Sequence, residues 1–536
     1  MSPTSENASR VLASTLSGTT LLIFVQLASR LFIFLSNQMV LRSLSPSILG
    51  IAAQLELFLI SILYFSRESI RTAIQRQPAQ FFSPNSGGRD ADINSANGDQ
   101  KSSQAQSNAS QSIVNMSYLS PGIGILLATT FAACYMHFAP YEVSETPFYQ
   151  ISVIVTAIAS LIELSTEPFF AVVQNYMLYK ERAAVEISAA FMKSLAVCGV
   201  SVWAAWHSYS LGALPFALGY LSYSFTLVCG YSLVLMHMRG GWDFSFRLTR
   251  IKSSNISEYF AGRFPWPLIS LSSNVFFQSI VKHLLTQGDS MILAALASLE
   301  DQGIYSLASN YGGLLARILF QPIEESSRAL FSSLLSSKVS ENQGANIKAA
   351  KSHLVNIMQG YMVLSILIFP LGPALVPRIL HILGGQRWTV PDVDTLLALY
   401  CYYIPFLAFN GISEAFVSST ASPAEVRKQA GWMSLFSTCF ALAAYLFLQI
   451  GGLGARGLVY ANIVNMAVRI IWSFSFIRRY LRQYKQDLAL AEFSVRPHTY
   501  VAGAVITAVL YQAEFWPKFN GALTPFIFGA IYILLV

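Results

Sequence analysis

Arg30, Glu56, Glu163, Glu167, Lys193, Lys282, His283, Asp289, Arg317, Glu324, Glu325, Glu414 and Arg469 all fall inside long apolar runs of the sequence. Holding an ionised side chain in hydrocarbon is costly, so each must face an opposite charge, a polar neighbour or water. Four of the cations, Arg30, Lys282, Arg317 and Arg469, have the chemistry to hold a phosphate, because guanidinium forks match its oxygens and an ammonium supplies a point charge. Structural ion pairing, such as Glu56 with Arg30 or Glu324 with Arg317, is the plainer use of any one of them. As a set they point to a hydrophilic cavity. Glu163 and Glu167 are the tidiest carboxylates for a proton or sodium site.

The elements that carry these charges are apolar helices. The chain has 536 residues, of which 54% are hydrophobic and 11% charged. Soluble domains carry about a quarter charged residues, so a polytopic membrane protein is expected, with no sizeable soluble domain. Apolar runs long enough to cross about 30 Å of hydrocarbon recur throughout. Fourteen spans are expected: 16–39, 47–66, 118–138, 148–171, 184–206, 211–237, 268–298, 303–331, 352–374, 394–419, 431–450, 456–477, 499–515 and 521–536. Those at 268–298 and 303–331 are unusually rich in Ser, Asn, Gln and Gly, as befits helices that face protein or water.

The net charge of +7 is dispersed among short loops. No aromatic-basic motif accompanies it, so nucleic acid is not the expected partner. Lys and Arg favour one side of the alternating loops by about four to one, which places both termini in the cytosol. Asn-x-Ser sequons at Asn7, Asn108, Asn115 and Asn255 all fall on that side and are expected to stay unmodified. The stretch 78–113 is Ser/Asn/Gln/Gly-rich and reads as an unstructured cytosolic insert. The five cysteines lie within apolar runs and imply no disulfide framework.

Residues 43–71 and 298–328 share a Ser-Leu exit, a polar turn, an Ala-rich helix and a Glu-Ser-x-Arg ending. Their offset equals six spans, and an even offset implies parallel repeats. The expected plan is an N-terminal lobe at 1–237, a basic linker at 238–267, a C-terminal lobe at 268–477, and a basic loop with two further helices at 478–536. The glycines Gly50, Gly122, Gly124, Gly219, Gly312, Gly313, Gly411, Gly454 and Gly457 are expected at close helix contacts. No phosphate loop, His-Glu-x-x-His motif, metal-ligand cluster or G-x-S-x-G turn is present, so neither an enzyme nor a cofactor or metal is expected. Asp392 and Asp394 form an acidic pair of the kind a membrane glycosyltransferase uses, but a solvated helix end accounts for them better.

Several blocks carry a resemblance: Phe277–Leu293 (FQSIVKHLLTQGDSMIL), Gly303–Arg328 (GIYSLASNYGGLLARILFQPIEESSR), Tyr400–Ser419, Asn465–Ile477, and the opening region with Arg30, Asn37, Arg42, Gly50 and Arg67-Glu68. Together they resemble the Rft family of endoplasmic-reticulum membrane proteins, within the multidrug/oligosaccharidyl-lipid/polysaccharide flippase superfamily. The resemblance implies two helical bundles arranged as a V around a central cavity. It also implies a role in bringing the dolichol pyrophosphate heptasaccharide from the cytosolic to the lumenal leaflet, as translocator or as a factor required for that step. An accessory protein of the same pathway and a cation-coupled exporter are the rival readings. By position it puts functional weight on Arg30, Asn37, Arg42, Glu56, Arg67, Glu68, Lys282, His283, Asn310, Arg317, Glu324, Glu325, Asn410, Glu414 and Arg469. Gln287 departs from the family pattern, where an acidic residue precedes the Gly-Asp.

Overall fold

The structure is a computed structural model, and it describes residues 32, 35–42, 44–75, 96–176, 178–237, 245–251, 259–335, 343–384, 388, 391–421, 423–513, 529–530 and 532–533. Apart from one short hairpin, its regular structure is helical. After a helical segment over 35–42, the main helices are α1 (Pro46–Gln75), α2 (Ala96–Ser117), α3 (Leu119–His137), α4 (Tyr149–Leu164), α5 (Glu167–Asn175), α6 (Tyr179–Trp206) and α7 (Leu214–His237). Strands β1 (Tyr259–Phe260) and β2 (Phe264–Pro265) pair antiparallel and lead into α8 (Trp266–Leu296). Then come α9 (Leu299–Leu315), α10 (Gln321–Leu335), α11 (Gln343–Gly384), α12 (Pro391–Thr420), α13 (Pro423–Tyr445), α14 (Ala455–Gln483) and α15 (Pro497–Ala513).

Among the described residues, nine helical stretches are long and apolar enough to cross a membrane. In these spans serine and threonine hydroxyls donate back to carbonyls of their own helix, as Ser66 to Ile62 at 2.7 Å and Thr156 to Ser152 at 2.7 Å. That local bond removes the cost of a bare hydroxyl in an apolar setting. The polar helices α8 and α9–α10 are not among the nine, although α8 runs for 31 residues.

The chain forms two compact units, one of Met1–Ser43 with Gln54–Thr286, the other of Leu44–Ala53 with Gln287–Val536. In the first, Val114, Phe170, Val173, Ala189, Leu227 and Tyr231 close a core between α2, α5, α6 and α7. In the second, the opening turns of α1 and α9 meet backbone to backbone. A Cβ on Gly50 would run into the carbonyl of Leu299, and one on Gly303 into the carbonyl of Pro46. Gly312 lies likewise against Tyr400 and Gly411 against Glu324, whereas Gly122 has open space.

One expectation differs from the structure. The end of the stretch read as unstructured, 96–113, belongs to α2, and Ser110, Gln111, Ser112 and Ile113 are buried. Residues 78–95 lie outside the described residues. The polar helix is stable because its amides are used. Asn115, with no exposed surface, donates to the carbonyls of Thr249 (2.8 Å) and Arg263 (2.9 Å), while Gln111 donates to the carbonyl of Arg247 (3.1 Å) and accepts from the Ser245 amide (2.8 Å).

Candidate functional site

Four charges meet inside the first unit. Arg67 and Arg71 are one turn apart on α1; Glu163 ends α4 and Glu167 begins α5. Pro168 has no N–H to return to the preceding turn, so the helix breaks at Ser165–Thr166 and the two carboxylates are presented together. Arg67 Nη1 donates to Glu163 Oε1 at 2.6 Å, and Arg71 grips both oxygens of Glu167 at 2.6 and 2.8 Å. Arg67 also lies 3.6 Å from Glu167. Two cations and two anions cancel, which is what burial of this kind requires. The Arg71 guanidinium sits 3.6 Å from the Phe170 ring centroid, and Arg182 lies 4.7 Å from the same ring.

A second group lies along α8. Asn274, Gln278, Lys282 and Thr286 recur every four residues, so they line one helix face. All four are exposed within their unit. Lys282 is 63% exposed and reaches Glu68 on α1 at 3.1 Å. Beside it His283 is buried, with Nε2 3.0 Å from the Ser61 hydroxyl and its ring 4.7 Å from both Tyr64 and Phe65. Its Nδ1 is buried with no hydrogen-bond partner among the described residues. Lys193 sits 4.6 Å from the Tyr220 ring centroid.

In the second unit Arg469 on α14 forks onto Glu414 on α12, with Nε 3.0 Å from Oε1 and Nη2 on the same oxygen. Asn410, one turn before Glu414, is buried, and its Oδ1 has no partner among the described residues. Glu324 rests on Gly411, and Glu325 accepts from Gln321 at 2.9 Å. Arg317 falls in a π-helical turn, Ala316–Phe320, between α9 and α10; its side chain lies outside the described residues. Pro322 follows that turn, and wide turns of this kind often mark functional positions. Asn37, Arg42, Glu56 and Asn310 are exposed, and Arg30 lies outside the described residues.

Asp392 and Asp394 occupy the first turn of α12, where negative charge complements the helix dipole. Asp392 lies 3.5 Å from Arg456, and Asp394 2.8 Å from His381. Beyond the end of α14, Arg482 and Arg478 draw the Asp487 carboxyl down to about 2. The Ala489 amide and Lys351 lower Glu492 in the same way.

Glu163, Glu167, Lys193, Lys282, His283, Glu324, Glu325, Glu414 and Arg469 were legible as costly residues in apolar runs, whereas Arg67, Glu68 and Arg71 lie just past the expected span end at 66 and were not. The neutral members of the α8 face, Asn274, Gln278 and Thr286, were missed, although their spacing of four was a readable signal. So was the matched pair of one-turn spacings, 67/71 and 163/167.

The family model described as Rft protein matches residues 14–536. A Candida glabrata protein named Man(5)GlcNAc(2)-PP-dolichol translocation protein RFT1 is 34% identical over 542 residues, covering 98% of this chain and 95% of its own. Proteins of the same name from Saccharomyces cerevisiae and Mus musculus are 34% and 27% identical, covering 89% and 91% of this chain and 85% and 84% of their own. Among solved structures, the lipid II flippase MurJ in an inward closed conformation superimposes with a TM-score of 0.58 at 12% identity, covering 96% of this chain and 98% of its own. An inward-facing MATE family transporter of the MOP superfamily gives 0.56 at 12% identity, covering 85% and 96%. At such identities the likeness speaks for the fold. Matched from residue 14 to its last residue by the family's model, and over nearly its whole length by a relative at 34% identity, the chain belongs to the Rft family.

Proposed function

We propose that this protein serves the translocation of a dolichol pyrophosphate-linked heptasaccharide from the cytosolic to the lumenal leaflet of the endoplasmic reticulum membrane, in protein N-glycosylation. The observation that carries the reading is the shared name of the relatives, a translocation protein for Man(5)GlcNAc(2)-PP-dolichol, at 27–34% identity over most of the chain. Fourteen spans with both termini cytosolic complete the layout. They form two parallel six-helix lobes in a V around a central cavity, with two C-terminal helices added.

In this reading the pyrophosphate is held by cavity cations from the set Arg30, Arg42, Arg67, Lys282, His283, Arg317 and Arg469. The pairing seen in each unit ranks them. Arg67 is neutralised by Glu163 and Arg469 by Glu414, so both hold the fold as well as any cargo. Lys282 is exposed at the end of a row of amides, Asn274 and Gln278, that suits sugar hydroxyls and phosphate oxygens alike. The polyprenyl chain stays in lipid while the sugars remain in water. The sequence has no nucleotide phosphate loop, so net movement follows consumption of the lipid on the far side.

Purified protein reconstituted in vesicles tests this directly. It should accelerate transbilayer movement of the lipid-linked oligosaccharide, and Lys282→Ala should lose most of that acceleration at equal folded content. No acceleration by correctly inserted wild-type protein would leave the accessory reading. The exporter reading is disfavoured by one observation: Glu163 and Glu167, the carboxylates it would use, are both occupied by arginines.

A further inference from the structure

The described residues of the loop between α7 and α8 include a hydrogen-bonded hairpin whose exposed side chains match neither a folded core nor a free loop. Ala261 and Gly262, two of the three residues that connect the paired Phe260 and Phe264, both have positive φ, 54° and 65°. The Ile251 amide donates to the Gly262 carbonyl at 2.9 Å, and Asn115 clamps the loop from both sides through Thr249 and Arg263. Phe264 packs on Ile70, Ile74, Ile113 and Met116. Those residues lie in the last turns of one candidate span, Pro46–Gln75, and the first turns of another, Ser107–His137. The hairpin is therefore fixed against the ends of two candidate spans.

What it presents outward is aromatic and basic. Phe260 is 52% exposed and Trp266 49%, in edge-to-face contact at 5.3 Å. Leu248, Arg247 and Arg250, in the segment bonded to the hairpin through Ile251, are exposed as well. Among the described residues of 245–251 and 259–267 no acid offsets the arginines. Side chains with an apolar body favour the headgroup boundary, and each Arg near an anionic leaflet adds about 1 kcal/mol of attraction. We infer that the 259–265 hairpin, with the start of α8 and the segment 245–251 bonded to it, is an interfacial anchor, with Phe260 and Trp266 seated in the boundary layer of one leaflet and Arg247 and Arg250 on its anionic headgroups. The occupant is the phospholipid surface, and the argument does not depend on what the protein translocates.

The test uses the full-length protein in phosphatidylcholine vesicles with and without phosphatidylserine. Phe260→Cys carries a polarity-sensitive dye, and unsubstituted protein treated in parallel supplies the background from the native cysteines. Brominated lipid should quench the dye. Arg247→Ala and Arg250→Ala should each raise the phosphatidylserine needed for half-maximal quenching by about fivefold. If Phe260→Cys fails to fold, Ala261→Cys at the exposed tip places the dye next to it. Water-like emission untouched by brominated lipid overturns the proposal in favour of a surface for a soluble partner. Quenching that ignores phosphatidylserine and survives both arginine substitutions also overturns it.

Discussion

Arg67 and Lys282 are both cations paired to a glutamate, yet their surroundings give them opposite roles. Arg67 faces Glu163, whose side chain is 6% exposed, so deleting the guanidinium strands a buried carboxylate. Arg67→Ala should cost about 3–5 kcal/mol in unfolding experiments on the detergent-solubilised protein. The double variant Arg67→Ala, Glu163→Ala should recover part of that loss. Lys282→Ala, at a 63% exposed ion pair, should change stability by no more than about 1 kcal/mol while impairing translocation. A stability loss for Lys282→Ala as large as that of Arg67→Ala would remove it from the cargo surface and make it a structural residue. Lys282 and Glu163 were legible because each is anomalous in an apolar run, whereas Arg67 lies just past the expected span end at 66 and entered only by its position in the family pattern. Their partners were not, since hydropathy does not say which spans are neighbours; Glu163 and Glu167 therefore read as a candidate ion site until Arg67 and Arg71 were seen across from them.

Among the elements, span positions were readable nearly everywhere that apolar side chains carry the helix. The stretch expected at 148–171 is found at 149–175, and that expected at 184–206 at 179–206. The failure at α2 has a physical cause. This helix is buried through amide hydrogen bonds, and composition cannot distinguish a solvated glutamine from one that ties down a loop. Asn115→Ala should leave the Thr249 and Arg263 carbonyls short of a donor, at about 1–3 kcal/mol for each. Its readout is faster protease cleavage within 245–263, while the spans stay intact. The same burial bears on Asn115 as a sequon: its amide is consumed, so the folded chain cannot carry sugar there on either side of the membrane. Past α14, the Asp487 turn is pH-sensitive with a definite sign. Its folded-state carboxyl titrates at about 2, below the ordinary value of about 4. The turn is therefore fully held above pH 4 and released as pH falls towards 2. Hydrogen exchange at residues 484–490 should rise through that window, and Asp487→Asn should show the raised exchange already at neutral pH.

At the scale of the whole molecule, the fold is recognisable in solved flippases and transporters at 12% identity, so it is maintained by patterning more than by particular residues. What patterning leaves to single positions is the closest helix approach. Gly50 and Gly303 let the starts of α1 and α9 touch through their backbones, and any side chain there must push two helices apart. Gly50→Ala should destabilise the protein by about 1–3 kcal/mol, and Gly50→Val by more, because the obstacle is a carbonyl that cannot turn away. The two glycines face each other's helices at one contact, so Gly303→Ala added to Gly50→Ala should cost less than the sum of the two. The first substitution has already separated the backbones that the second would force apart. Thermal unfolding of the three variants in detergent measures this coupling. Full additivity would mean that the helices relax independently and that the contact does not set their spacing.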